Sequence, residues 1–231
     1  MRTTASLLLL LLPLAAPAAT NRPPFEPTAS YTETRMEGWT VRVSSRLVAQ
    51  PELDRLVRLE IGGQLARVRR QLPAAAVDRL TNVVFWLELD GPVAGGCHHP
   101  SRGWLVENGF NPDKAGGIEF GNARHALDWV RDQPCMALHE LAHAYHFQVL
   151  GFGDPRPRAL YEAARASGRY ESVRKAHGKR QRHYALSNEK EFFAEMTESY
   201  FGVNDFFPFV YAELEDADPA TARGIAELWG K

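Results

Sequence analysis

The chain has 231 residues, 27 basic and 28 acidic side chains and a formal net charge of −1, with 45 % hydrophobic residues. That length supports one ordinary domain with its own core, and the balanced charge excludes nucleic acid as the main partner. Beyond the N-terminal apolar run, no stretch is apolar enough to cross a bilayer, so stable membrane insertion is not expected, and the chain is expected to act as a monomer.

Arg2 gives a positive start, Leu7 to Leu14 an apolar run interrupted by Pro13, and Ala16-Pro17-Ala18 a small-residue cleavage site. This is the pattern of an export leader over residues 1–18, which sends the protein to a periplasm or out of the cell. In an oxidising compartment Cys97 and Cys135 are expected to pair as a disulfide, the alternative being two separate buried thiols. Residues 19–31, with Pro23, Pro24 and Pro27, read as a loose lead-in, and residues 32–231 as a single domain.

In chain order, Gly38 to Val43 alternates with the period of a strand. Pro51 opens a helix to about Gln71, with Leu53, Leu56, Leu59, Ile61, Leu65 and Val68 expected on its inner side. Asn82 to Leu89 is the strongest strand candidate. Gly91 to Gly117 reads as a long functional loop, ending in Ile118-Glu119-Phe120, a candidate edge strand against which an extended peptide would lie. Asp132 is a candidate N-cap for a helix reaching Gly151, with Leu138, Leu141, Ala142, Tyr145 and Val149 as its buried stripe. The remainder reads as helical: Pro157 to Ser167, a short piece near Ser172, Asn188 to Phe201, and Pro208 to Trp229 broken near Pro219. Strands early and helices late give an α+β class.

The helix after Asp132 carries H-E-L-A-H, His139 to His143. Histidines four apart share one helical face and offer two imidazoles to one metal ion, while Glu140 reaches water at that metal without ligating it. Such a site needs a third protein ligand and an open position. His146 follows three residues later on the same helix, a poor geometry for ligation. Glu191 and Glu195 are better placed, four apart on one face of a later helix whose Phe192 and Phe193 call for burial. Carboxylates turned toward a core need partners, and a metal with its histidines would supply them.

H-E-L-A-H followed by Y-A-L-S-N-E-K-E-F-F-A-E, Tyr184 to Glu195, resembles the gluzincin zinc metallopeptidases, in particular the catalytic domain of the anthrax lethal factor family. The mature chain as a whole is also similar to secreted bacterial metallopeptidases of undetermined substrate. The resemblance implies a zincin-like catalytic domain over residues 32–231 with a small N-terminal mixed sheet, an active-site helix and a helical C-terminal part. It implies one Zn2+ per chain on His139, His143 and Glu191, and Glu140 as general base. It further implies Tyr184 as donor to the transition state, in preference to the adjacent His183, and Glu195 as support for His139. Glu189 and Glu198 read as surface charges.

The activity implied is hydrolysis of peptide or protein substrates by an exported zinc endopeptidase. Alternatives are a zinc amidase acting on a non-protein amide such as peptidoglycan, and a metal-holding module without turnover. An intact Glu140 and Tyr184 argue against the last, since neither is needed to hold zinc. The basic stretch Arg169 to His183 reads as a solvated face or as a preference for acidic substrate segments. His98 and His99 read as loop residues, a cleft wall or an accessory metal contact.

Overall fold

The structure, a computed structural model, describes residues 25–231; the leader and the first part of the lead-in lie outside the described residues. Among the described residues, ten α-helices and seven strands follow in order. They are β1 (Thr32–Met36), β2 (Trp39–Val43), α1 (Ser45–Val48), α2 (Pro51–Gln71), α3 (Ala74–Asp78), β3 (Phe85–Leu87), β4 (Gly96–His98), α4 (Arg102–Glu107), β5 (Ile118–Phe120), α5 (Ala123–Trp129), α6 (Met136–Tyr145), α7 (Pro155–Ser167), β6 (Val173–Arg174), β7 (Arg180–Gln181), α8 (Glu189–Phe201), α9 (Tyr211–Ala217) and α10 (Pro219–Trp229). The α+β class holds. Among the described residues, no helix is long and apolar enough to cross a membrane.

Five strands form one mixed sheet in the order β1-β2-β3-β5-β4. β2, β3 and β5 run parallel, with Val41 beside Phe85 and Phe85 beside Ile118, so each parallel step needs a crossover. The first is α2. Its buried residues, Val57, Ile61, Gln64, Leu65 and Val68, trace one helical stripe, whereas Leu56 lies beside it and Leu59 on the opposite face, 36 % and 67 % exposed. The expected inner face was therefore too wide. Phe85, Trp86 and Leu87 of β3 are all buried, as befits a central strand covered on both sides.

The edge strand is not Ile118–Phe120. β5 is paired on both sides, with β3 in parallel and β4 antiparallel, which leaves β4 at the edge of the sheet. The reason lies in the long glycine-rich loop, which folds back on β5 and adds a strand of its own, with α4 and a short 3-10 turn at Pro112–Lys114. A buried charge chain pins this fold-back. Tyr31 Oη donates to Glu88 (2.5 Å), Lys114 Nζ bridges Glu88 (2.7 Å) and Glu119 (2.9 Å), and His99 Nε2 meets Glu119 (2.8 Å). His99 thus has a structural partner in Glu119.

The helix that carries His139 and His143 begins later than expected. Asp132 does not cap it; α5 and a turn come first, and α6 starts at Met136 with the Ala137 N–H donating to Gln64 Oε1 of α2 at 2.9 Å. It continues as a π-helical turn from His146 to Leu150 before Gly151. α8 packs along α6 and buries Phe192, Phe193, Ala194 and Met196. Burial of each large apolar side chain contributes roughly 1.5–3 kcal/mol. The piece near Ser172 is a two-stranded ribbon, β6 with β7, not a helix.

Cys97 and Cys135 are not bridged. The Cys135 sulfur, just before α6, accepts the Val203 N–H at 3.3 Å, whereas the Cys97 sulfur on β4 faces His99 Nδ1 at 3.9 Å. Burial raises both thiols, Cys97 up to about 12 and Cys135 to about 11, which suppresses the thiolate that oxidation requires. Thiol titration of unreduced protein in denaturant is expected to find both cysteines free; a value near zero would contradict this arrangement.

Candidate metal centre

α6 and α8 bring three of the sequence-derived residues to one point. His139 Nε2 lies 3.1 Å from His143 Nε2 and 3.3 Å from Glu191 Oε2, and His143 Nε2 lies 3.4 Å from the same oxygen. Four ligands at 2.0–2.1 Å in a tetrahedron stand about 3.3–3.4 Å apart, so these atoms have the spacing of one face of such a tetrahedron. The i, i+4 repeat of α6 sets the two imidazoles. Glu191 is set by the N-terminus of α8, where Asn188 Oδ1 accepts the N–H groups of Lys190 (2.9 Å) and Glu191 (3.0 Å).

The tautomer of His139 is also set. Its Nδ1 lies 2.6 Å from Glu198 Oε1 and 3.8 Å from Glu195 Oε1. In the neutral imidazole, a carboxylate at Nδ1 holds the one proton there and leaves the lone pair of Nε2 facing His143 and Glu191. The supporting carboxylate is thus Glu198, seven residues after Glu191, and not Glu195. Glu195 is instead held by Asn204 Nδ2 (2.9 Å). Nor is Glu198 a surface charge: it is 1 % exposed. Glu191, Glu195 and Glu198 follow the i, i+4, i+7 positions of one helical face, a signal present in the sequence but outweighed there by the number of acids in the helix.

Burial by itself would raise the Glu191 carboxyl, but the hydrogen bonds and charge of His139 and His143 hold it well below the usual carboxylate range. Burial would likewise depress His139; Glu191 and Glu198 outweigh it and keep the imidazole well above its ordinary value. Burial raises Glu195 well up and Glu198 to about 7. Burial thus acts on all four groups, and His139 and Glu191 offset it by their mutual contact.

Glu140 is buried beside this group. Its Oε2 accepts the backbone N–H of His98 on β4 at 2.7 Å, so the edge strand orients the carboxylate. Close approach here requires glycine. A Cβ on Gly96 would stand 2.9 Å from Glu140 Oε1 and 3.0 Å from its Cγ. Gly96 and the His98 N–H were not singled out from the sequence; the Gly95-Gly96 pair was the available signal.

Tyr184 is 49 % exposed and lines both hollows that flank the centre, together with Gly96, His139 and Glu140. His183 points inward. Its Nδ1 accepts the Ala185 N–H (3.1 Å), its ring stacks on Phe206 (4.7 Å), and burial pushes it down to about 3. His146 is buried between Phe152 and Phe193, away from the three ligating atoms. His98 forms part of the cleft wall. The basic stretch is largely paired: Arg169 with Asp218 (2.8 Å), Lys175 with Asp205 (3.2 Å), Arg182 with Glu171 (3.2 Å), and Arg180 with the Ser172 carbonyl.

No family model, curated protein or solved structure gives a significant match to this chain.

Gly96→Ala is expected to force Glu140 or β4 aside and to cost about 1–3 kcal/mol in urea unfolding, the usual range for overpacking. Gly103→Ala, whose new Cβ meets nothing nearer than 3.8 Å, should not destabilise. Equal effects of the two would remove the steric argument at Gly96.

Proposed function

We propose that this chain is an exported zinc-dependent peptidase of the zincin type, with the gluzincin ligand set of His139, His143 and Glu191. The observation that carries this reading is the triangle of ligating atoms at 3.1, 3.3 and 3.4 Å beside an oriented Glu140. Two imidazoles and a carboxylate suit zinc, with the remaining position left for water. Zinc in such a site supplies water activation and polarisation of the scissile carbonyl.

The protein's own groups would do the rest. Glu140 Oε2 is engaged by the His98 N–H, while Oε1 makes no hydrogen bond among the described residues. The carboxylate takes a proton from the attacking water and passes it to the leaving amine. Tyr184 lines the cleft on both sides of the centre and donates to the developing oxyanion. Glu198 fixes the ring of His139. The outer edge of β4 has no strand partner among the described residues; its His98 N–H is taken by Glu140, and an extended peptide pairs with the remaining main-chain groups on that edge.

Cleavage of a broad peptide library by zinc-loaded protein tests the reading. Glu140→Gln should retain zinc and lose at least ~10² in turnover, the usual general-base contribution; turnover near wild type would remove Glu140 from the mechanism. Tyr184→Phe should lower kcat and kcat/KM together by about 10², and a raised KM with kcat intact would make Tyr184 a binding wall instead. Glu198→Gln should weaken zinc affinity about 10–100-fold, more than Glu195→Gln does. Equal weakening by both would undo the assignment of the His139 partner.

A further inference from the structure

The hollows on either side of the centre share Gly96, His139, Glu140 and Tyr184, so together they form one cleft beside β4. β4 enters it at Gly95 and Gly96, on the side of Trp129, Met136 and Phe206. It leaves at His98, beside Pro100, Phe152 and Lys190. A peptide pairing antiparallel to β4, the sense in which β4 already pairs with β5 and the more stable one per residue, runs the opposite way. Its residues on the acyl side of the scissile bond then fall beside Phe152 and Lys190.

That side of the cleft offers donors. Lys190 Nζ lies 4.1 Å from the centroid of the Phe152 ring and makes no ion pair among the described residues. A cation held on an aromatic face is positioned in advance of any ligand, and its ammonium covers the face that an apolar side chain would otherwise use. Asn188 commits its Oδ1 to the α8 cap, leaving its amide NH2 as a donor. His98 is 7 % exposed and forms a buried wall of the same hollow, with its Nε2 enclosed and without a hydrogen-bond partner. The carboxylates on this side, Glu140 and Glu191, belong to the centre itself. The hollow, which takes in His139, Glu140, His143 and Glu191 as well, has a volume of about 300 Å³.

We propose that this hollow is the acyl-side subsite and that it selects an acidic residue, with Lys190 as the specificity determinant; the assignment rests on the peptidase reading above. Burying a carboxylate against a preset ammonium favours it over its neutral amide, since hydrogen bonds to charged groups exceed neutral ones.

The test is calorimetric titration of zinc-loaded protein with acetyl-glutamyl, acetyl-glutaminyl and acetyl-lysyl hydroxamates, whose side chains lie on the acyl side of the metal-binding group. The glutamyl compound should bind at least about tenfold tighter than the glutaminyl one. Lys190→Gln, with its zinc content unchanged, should abolish that difference, and Lys190→Glu should place the lysyl compound ahead of the glutamyl one. Equal binding of the glutamyl and glutaminyl compounds to wild type, or a preference that survives Lys190→Gln, would overturn the subsite. Failure of all three to bind zinc-loaded protein would overturn the peptidase reading and the subsite with it, an outcome distinct from the loss of selectivity alone.

Discussion

Everything near the cleft depends on a surplus of negative charge and lone pairs enclosed between two packed helices. His139, His143 and Glu191 point at one another from α6 and α8, and Glu195 and Glu198 stand fully buried behind them. Groups of this kind are not removed from water without a compensating cation or proton. Lys175, paired with Asp205 at 3.2 Å, answers only part of the demand, and His139 is drawn toward its protonated form by the carboxylates on both sides. A divalent ion at the three converging atoms would replace that proton and satisfy the triangle in one step.

The rest of the fold holds these groups in register. Gln64 on α2 receives the Ala137 N–H in the first turn of α6, which helps to fix where the helix begins and so the height of both histidines. Asn188 does the same for α8 and Glu191. The third support is β4, which orients Glu140 through the His98 N–H and approaches closely because residue 96 has no side chain. Behind β4, the chain Tyr31–Glu88–Lys114–Glu119–His99 ties the lead-in to the fold-back of the long loop. An element remote in sequence thereby braces the wall of the cleft.

Local periodicity carried much of this into the sequence. The four-residue spacing of His139 and His143 is a helical fact, Phe192 and Phe193 announce that α8 is buried, and the runs Gly38–Val43 and Asn82–Leu89 read as strands, of which the structure keeps Trp39–Val43 and Phe85–Leu87. What depended on tertiary order was not legible. Whether Ile118–Phe120 lies at an edge is decided by the neighbour that folds onto it, and that neighbour, β4, is a three-residue strand inside a glycine-rich loop with no alternation to mark it. Choosing Glu198 over Glu195 required the rotation of α8 against α6, which spacing along α8 does not encode. The pairing of Cys97 with Cys135 was inferred from compartment and even count, and neither carries the distance and direction that a bridge needs.

X-ray absorption at the zinc edge on purified, zinc-equilibrated protein probes the centre directly. The ligand set proposed above predicts one zinc per chain with a first shell of nitrogen and oxygen only, at about 2.0–2.2 Å, and multiple scattering from two imidazoles. In Glu191→Ala the ion should be lost or the shell should change. Absence of bound zinc, a sulfur neighbour near 2.3 Å, or a shell untouched by Glu191→Ala would contradict the assignment on which the proposed chemistry stands.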